Sequence, residues 1–123
     1  MTEHGAMKVL IVDDEQLVRW FLERALKRWN FNVTAVSSAE EAVRHLETNS
    51  YEIIFTDWKM PSGSGALIVK QVSEMQHPPH LVVCSAYVTP EMEEEFKAKG
   101  IQTLKKPFKL DELENALKNL LES

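Results

Sequence analysis

The stretch KVLIVDDEQ, residues 8–16, joins an apolar run directly to a group of acids. Its first part, residues 9–12, has the continuous apolar character of a strand that is buried on both faces of a sheet. Asp13, Asp14 and Glu15 follow without an intervening residue. Such side chains either cap the next helix or bind a positively charged ligand, and residues elsewhere in the chain discriminate between these two interpretations.

Length and composition are those of one globular domain. The chain has 123 residues, of which 44% are hydrophobic and 27% are charged, and its net charge is −5. No apolar run approaches the ~20 residues that span a bilayer, and the single cysteine, Cys84, cannot form an internal disulfide. An acidic chain without a basic stripe is a poor candidate for nucleic-acid binding. We therefore predict one cytoplasmic domain over residues 1–123, ordered over about 7–122, without membrane or direct nucleic-acid contacts.

Apolar residues recur with two alternating periodicities. Strand-like runs lie at residues 9–12, 33–36, 53–55, 81–84 and 101–104, and a helical pattern follows each of them. Strands that alternate with helices form a parallel sheet that is covered on both faces. Right-handed crossovers then favour a flavodoxin-like, doubly wound (βα)5 fold of the α/β class, with strand order 2-1-3-4-5.

Capping signals mark where the helices begin. Ser38 and Asp111 each precede a Glu by three residues, which is the spacing of a capping box, and Thr89 stands directly before Pro90. We predict that Ser38, Thr89 and Asp111 are helix N-caps. In the first helix, the spacing of the apolar residues also predicts that Leu17 lies on the buried face.

Chemically active side chains collect where the predicted strands end. The first strand runs into Asp13 and Asp14, the third into Asp57, the fourth into Ser85, and the fifth into Lys105 and Lys106. The carboxyl ends of parallel strands lie along one edge of a sheet, and in this strand order the ligand crevice lies beside strands 1 and 3. We therefore expect the three carboxylates, the hydroxyl and one lysine ammonium to form one site.

Three carboxylates at one edge repel one another unless a cation lies between them. Ligand sets made only of oxygen suit Mg²⁺ better than zinc or copper. A magnesium ion, a lysine and a hydroxyl around a carboxylate provide what phosphoryl transfer requires, because its catalysis consists of positioning and charge neutralisation. The carboxylate can itself be the nucleophile and form an acyl phosphate. The acids of the opening stretch are therefore interpreted as metal ligands.

Four segments at these strand ends resemble one known family. They are VDDE (residues 12–15), DWKMPSGSG (57–65), CSAY (84–87) and KKPF (105–108). In these segments, and over residues 8–121 as a whole, the chain is similar to the receiver domains of two-component response regulators, the CheY-like superfamily. The strand order given above is itself typical of that family.

The resemblance implies a Mg²⁺ site and a phosphorylation site. Asp14 would bind Mg²⁺ directly and Asp13 mainly through water, while Asp57 and the main-chain carbonyl of Lys59 would complete the protein ligands. Asp57 would also be the phosphoacceptor. It would take its phosphoryl group from a phosphohistidine on a sensor histidine kinase or a histidine phosphotransfer protein.

The same resemblance assigns the residues around the phosphoryl group. Lys106 would pair with its oxygens, Ser85 would donate a hydrogen bond to one of them, and both would act with Asp57 as the catalytic residues. The Lys106–Pro107 bond would be cis. The chain would be a signalling domain and not an enzyme, although it would promote its own phosphorylation and the hydrolysis of its acyl phosphate.

The resemblance also implies a switch. Phosphorylation would reshape the surface of the fourth helix, fifth strand and fifth helix, which would control an output domain or a partner and would be a route to a homodimer. Where the family carries an aromatic switch residue, this chain has Thr103, so another route must reshape that surface. Lys59 and Tyr87, two residues beyond Asp57 and Ser85, would modulate the attack of water on the acyl phosphate.

Three other functions match parts of the pattern. A receiver-like module that only binds proteins would not need the intact set of acids, hydroxyl and lysine. A phosphatase with an aspartyl nucleophile requires a second aspartate two residues later, where this chain has Lys59. A flavodoxin-type protein requires a phosphate loop rich in Ser, Thr and Gly, where this chain is acidic. The phosphoacceptor signalling domain is therefore the leading prediction.

Overall fold

The computed structural model describes residues 7–60 and 63–122. In this part of the chain the strands are β1 (Lys8–Val12), β2 (Asn32–Val36), β3 (Ile53–Asp57), β4 (Lys59–Met60), β5 (Gly63–Ser64), β6 (His80–Ser85) and β7 (Gln102–Lys105). The helices are α1 (Gln16–Arg28), α2 (Ala39–Thr48), α3 (Gly65–Ser73), α4 (Pro90–Ala98) and α5 (Leu110–Leu121). All the predicted strands and helices are therefore present.

Five parallel strands form one sheet in the order β2-β1-β3-β6-β7. This confirms the predicted order 2-1-3-4-5, because β6 and β7 are the fourth and fifth strands of the sheet. The short strands β4 and β5 form a separate antiparallel pair directly after β3. The apolar pattern does not predict this pair, since strands of two residues carry no periodicity.

The sheet has an apolar core on each face. In β1, Val9 and Ile11 belong to the core shared with α1 and α5, whereas Leu10 and Val12 belong to the core shared with α2, α3 and α4. All four side chains are completely buried. Burying an aliphatic side chain of this size contributes ~1.5–3 kcal/mol. The apolar part of the opening stretch therefore anchors β1 in the middle of the sheet and holds the acids after it at the sheet edge.

The polar residues before α2 and α4 cap those helices as predicted. The hydroxyl of Ser38 accepts a hydrogen bond from the N–H of Glu41 at 3.1 Å, and that of Thr89 accepts one from the N–H of Met92 at 3.1 Å. Each bond satisfies a backbone donor that has no partner within its own helix. After α4, Gly100 has a φ of +75°, the left-handed conformation in which glycine commonly ends a helix.

Two predictions about the helices are wrong. Asp111 does not cap α5, because the helix begins before it and Lys109 holds the cap position. The N–H of Lys109 donates a hydrogen bond to the side chain of Glu112 at 2.9 Å, so Asp111 belongs to the first turn. Leu17 is 80% exposed instead of buried. Its neighbour Val18 packs on the core, since adjacent residues of a helix point about 100° apart.

Gly65 begins α3 in close contact with the end of β3. Its N–H donates a 2.7 Å hydrogen bond to the carbonyl of Trp58. A Cβ at this position would lie 2.4 Å from the carbonyl oxygen of Asp57 and 3.0 Å from the Cα of Trp58. Because both neighbours are backbone atoms, no side-chain rotation relieves the overlap, and only glycine fits here without a shift of the backbone.

Replacing Gly65 with alanine is expected to destabilise the fold by about 2 kcal/mol, because β3 and α3 must separate to admit the methyl group. Gly100→Ala is the matched control. No atom lies within 4 Å of a Cβ added there, so its cost is only that of the left-handed conformation, about 1 kcal/mol. Urea denaturation measures both values. An alanine at position 65 that costs no more than one at position 100 would contradict the close approach.

Candidate functional site

The ends of β1 and β3 bring three carboxylates together. Asp13 and Asp14 directly follow β1, and Asp57 is the last residue of β3. One carboxylate oxygen from each residue lies within 4.8 Å of the other two. Asp13 and Asp57 are buried, whereas Asp14 is exposed. The three predicted metal ligands with carboxylate groups are therefore neighbours at the carboxyl edge of the sheet.

Lys106 reaches this group from the end of β7. Its backbone N–H donates to the carbonyl of Ser85 at 2.9 Å, which holds the residue beside β6. Its ammonium nitrogen lies 2.8 Å from Asp13 Oδ2 and 3.3 Å from Asp57 Oδ2. The same nitrogen lies 2.8 Å from Glu15 Oε1, a contact that the strand-end pattern does not predict. Lys106 thus faces three acids at once.

Hydrogen bonds fix the backbone of two of the aspartates. Asp13 Oδ1 accepts the N–H of Glu15 at 2.9 Å, and the Asp13 carbonyl accepts a hydrogen bond from the guanidinium of Arg19 at 2.7 Å. The buried hydroxyl of Thr56 donates to the carbonyl of Asp57 at 2.9 Å. The residue types at the strand ends do not predict the roles of Arg19 and Thr56. For Arg19, the sequence feature that could have predicted its contact with Asp13 is its position one helical turn after Glu15, at the start of α1.

The charge balance of this group is unfavourable at neutral pH. Burial raises the pKa of Asp13, and its contacts with Lys106 offset this only in part. Burial also raises the pKa of Asp57; Lys106 acts against this rise, and the charge of Asp13 adds to it. For Lys106, burial acts to lower the pKa, but the contacts with Asp13 and Glu15 outweigh it and the pKa is raised. The single positive charge of Lys106 does not neutralise the negative charges of the acids around it, and a divalent cation would neutralise the remainder.

The donor atoms fit a divalent cation that prefers oxygen ligands. Asp13 Oδ2 is buried and pairs with Lys106, but within the described part of the chain it accepts no hydrogen bond of good geometry. It therefore keeps a lone pair for a metal or a metal-bound water. Three carboxylates without a sulfur or imidazole ligand are typical of Mg²⁺ sites. Over residues 7–60 and 63–122, no other cluster of metal-ligating side chains of this size occurs.

The other predicted site residues lie around this group without joining it. Ser85 is buried, and its hydroxyl accepts the N–H of Tyr87 at 3.2 Å and donates to the Tyr87 carbonyl at 3.3 Å. The side chain of Tyr87 is exposed. Lys59 is exposed in β4, and Thr103 is half-buried in β7 opposite Val83. The assigned roles of these residues, and of the Lys59 carbonyl, stay predictions.

Trp58, the residue after Asp57, connects the site to α4. Its ring meets that of Phe96 edge to face, with the centroids 4.9 Å apart and the planes at 79°. Phe96 is the buried residue of α4, whose other side chains are exposed or half-buried. This helix is therefore held to the sheet mainly by one side chain, and that side chain touches the neighbour of Asp57.

An open groove of about 350 Å³ lies beside Glu15 and Lys106. Its lining includes Glu15, Lys106 and Ala86 as well as the apolar side chains of Leu17 and Phe108. The peptide bond after Lys106 is cis, as predicted. The groove therefore reaches Lys106, and the exposed Leu17 adds an apolar side chain to its lining.

The sequence profile of the response regulator receiver domain family matches residues 9–118. The sensory transduction protein LytR of Staphylococcus haemolyticus is 33% identical over 113 residues, which cover 90% of this chain and 44% of that protein. The DNA-binding transcriptional regulator NtrC of Klebsiella pneumoniae is 30% identical over 104 residues, which cover 83% of this chain and 22% of that protein. The chain thus spans less than half the length of these two relatives.

Solved structures show the same fold. The chemotaxis response regulator CheY4 of Vibrio cholerae superposes with a TM-score of 0.83 at 27% identity, covering 94% of this chain and 98% of that chain. The receiver domain of the Francisella response regulator 1452 gives a TM-score of 0.83 at 27% identity, covering 94% and 97%. The chain belongs to the response regulator receiver domain family. It is the receiver domain of a two-component response regulator.

None of the helices in the described residues has the length and apolar character needed to cross a bilayer.

Removing one charge from the carboxylate group is expected to stabilise the metal-free fold. Because the pKa of Asp57 is raised on folding, its charge destabilises the fold above that pKa, and the effect disappears as the pH falls through it. Asp57→Asn should raise the free energy of unfolding at pH 7.5 by about 1 kcal/mol, the usual scale of a single substitution. The gain should be smaller at pH 4.5.

Urea denaturation in the presence of a chelator, at both pH values, measures this gain. Asp111→Asn is the matched control, because Asp111 is an exposed aspartate on α5 away from the site. A lower stability of Asp57→Asn than of wild type at pH 7.5 would contradict the unfavourable charge balance.

Proposed function

We propose that this receiver domain accepts a phosphoryl group on Asp57 from a phosphohistidine of a sensor histidine kinase or a histidine phosphotransfer protein. The observation that supports this most directly is the position of the Asp57 carboxylate. It lies 3.3 Å from the ammonium of Lys106 and has carboxylate oxygens of Asp13 and Asp14 within 4.8 Å. A nucleophile between a lysine and metal ligands is arranged for charge neutralisation. Mg²⁺, bound by these aspartates and the Lys59 carbonyl, would neutralise charge on the phosphoryl oxygens.

In the proposed reaction, a carboxylate oxygen of Asp57 attacks the phosphorus in line with the departing imidazole. The new O–P bond forms as the N–P bond breaks, and the electron pair of the broken bond stays on the imidazole nitrogen. Lys106 pairs with one phosphoryl oxygen, and the hydroxyl of Ser85 turns from the Tyr87 carbonyl to donate to another. No general base is needed, because an ionised carboxylate carries no proton to remove.

The groove beside Lys106 supports a protein as the donor. Ala86 leaves space next to the site, and the groove continues past the apolar side chains of Leu17 and Phe108. Leu17 is 80% exposed, and it lines the groove together with Phe108. An apolar rim next to a charged site suits a partner that presents its histidine on a protein surface.

The rival functions fit this site less well. A module that only binds proteins would gain nothing from burying Asp13 and Asp57, whose raised pKa values mark an unfavourable arrangement. An aspartyl phosphatase would need an acid where Lys59 lies exposed. A flavin phosphate would meet the carboxylates of the site directly. The phosphoacceptor function is the one that gives a role to the aspartates, the Ser85 hydroxyl and the Lys106 ammonium together.

The proposed domain is a signalling module that acts on itself. It would promote the hydrolysis of its own acyl phosphate, at a rate modulated by the exposed side chains of Lys59 and Tyr87. A phosphohistidine donor and the unpaired Cys84 support a cytoplasmic location. The net charge of −5 supports an output that is exerted through a partner or a further domain, without direct binding of nucleic acid by this domain.

Acetyl phosphate with Mg²⁺ is expected to label wild-type protein at one site, and Asp57→Asn is expected to abolish the labelling. The reason is that the amide of asparagine is not a nucleophile at neutral pH. Intact mass spectrometry measures the added phosphoryl mass. The control Asp111→Asn should label like wild type, and chelation of Mg²⁺ should suppress labelling in both. Undiminished labelling of Asp57→Asn would refute the proposed phosphoacceptor.

We also propose that the conformational change caused by phosphorylation is transmitted through Trp58 to the surface of α4, β7 and α5. Thr103 stands where receiver domains carry an aromatic residue, and it offers no ring to move. Trp58 is bonded to Asp57 and its ring contacts Phe96, so a movement of the phosphorylated residue displaces that contact. Because Phe96 is the buried residue of α4, the displacement would be passed to the whole helix. The altered surface would then bind an output partner or a second copy of the chain.

Phe96→Leu is expected to uncouple α4 from the site while leaving Asp57 reactive. Leucine keeps an apolar side chain but loses the edge-to-face contact, at a cost of about 1 kcal/mol. With Mg²⁺ and beryllofluoride, the amide chemical-shift changes in α4 should shrink relative to wild type, while labelling by acetyl phosphate stays unchanged. Met92→Leu, on the same helix and packed on the same core, is the control. Equal shift changes in Phe96→Leu and wild type would exclude this route.

A further inference from the structure

Glu15 occupies an unusual position at the edge of the site. It is the N-cap residue of α1, yet its side chain makes no capping hydrogen bond. Its carboxylate instead lies 2.8 Å from the ammonium of Lys106. Glu15 also lines the groove that opens beside the site. The carboxylate of Glu15 therefore pairs with Lys106 and does not cap the helix that follows it.

The three acids around Lys106 differ in how firmly they are held. Asp13 and Asp57 are buried, and their backbones are tied by hydrogen bonds to Arg19 and Thr56. The side chain of Glu15, in contrast, is 59% exposed and has no other partner in the hydrogen bonds and ion pairs of the described residues. Of the three contacts, the one to Glu15 can be broken with the least rearrangement.

An ammonium group has three N–H donors, and here three carboxylates surround it. A phosphoryl oxygen that approaches Lys106 therefore competes with these carboxylates, and most directly with Glu15, whose contact is a hydrogen bond. Glu15 also places a carboxylate 2.8 Å from the ammonium that the phosphoryl group must approach, so it repels the incoming anion. Both effects act against the contact that the proposed reaction needs.

We infer that Glu15 is a positioning residue that holds Lys106 in the unphosphorylated protein and is displaced when an anion binds at Asp57. This inference rests on the proposed function, since it concerns the same lysine. Glu15 keeps the lysine ammonium aimed into the site, and it raises the concentration of anion needed to occupy that site. The strength of its contact therefore tunes how readily the domain accepts a phosphoryl group.

Beryllofluoride, an anion with the shape of a phosphoryl group, is the probe for this inference. Glu15→Gln removes the charge but keeps the size of the side chain. We expect Glu15→Gln, saturated with Mg²⁺, to bind beryllofluoride roughly two- to fivefold more tightly than wild type, the scale of one partly exposed ion pair. Mg²⁺ alone should bind more weakly by a similar factor, because a nearby negative charge is lost. A variant that is merely damaged would bind both ligands more weakly.

Two further variants separate the contact from the charge. Glu23→Gln makes the same change of charge on the same helix, where Glu23 pairs with Lys27 at 3.1 Å, and it should match wild type with both ligands. Glu15→Asp keeps the charge but shortens the side chain by one methylene. It should bind Mg²⁺ like wild type and beryllofluoride more tightly. Calorimetry measures Mg²⁺ binding, and amide chemical shifts measure beryllofluoride binding.

The outcomes distinguish this inference from the function on which it rests. If wild type binds beryllofluoride and Glu15→Gln binds it no more tightly, the inference is overturned and the proposed function stands. If Glu15→Asp matches wild type with both ligands, the direct contact is overturned. If wild type neither binds beryllofluoride nor is labelled by acetyl phosphate, the proposed function fails and the role of Glu15 fails with it.

Discussion

The contact between the Lys106 ammonium and the carboxylates of Asp13 and Asp57 is the interaction on which the site depends. It joins residues that follow or end β1, β3 and β7, so it forms only when these strands are paired in the right order. Burying an ion costs several kcal/mol unless a partner is close, and here each ion is the partner of another. The balance is incomplete, because the acids outnumber the lysine. This shortfall of positive charge makes the site receptive to a divalent cation, and a bound cation would in turn make it receptive to an anion.

The end of β3 connects this charged edge to the packing of the helices. Asp57 contacts Lys106, and the next residue, Trp58, packs with the core shared by α2, α3 and α4. One peptide unit therefore separates the ion pairs from the ring contact with Phe96. Gly65 presses against the same peptide from the other side, since a Cβ there would overlap the Asp57 carbonyl. A chemical change at Asp57 thus occurs where the backbone has little room to move without moving its neighbours.

Receiver domains share a scaffold and differ in the residues around the site. At 27% identity, the chain still superposes on CheY4 with a TM-score of 0.83, because a core tolerates many substitutions when its apolar pattern is kept. Function is therefore argued from the site and not from the fold. In this chain the individual features are the contact of Glu15 with Lys106, a threonine at position 103, and the exposed side chains of Lys59 and Tyr87. They leave the architecture unchanged.

The sequence by itself determined the element order, the parallel sheet and the convergence of Asp13, Asp14, Asp57 and Lys106. These follow from periodicity and from the rule that the ends of parallel strands share an edge, both of which are local signals. Only the tertiary structure decided that Glu15 joins Asp13 and Asp57 around Lys106, that Leu17 faces solvent, and that Trp58 contacts Phe96. The two contacts join residues far apart in the chain, and the exposure of Leu17 depends on how α1 is rotated against the sheet. Strand register and helix rotation decide all three, and no local pattern of residue types encodes them.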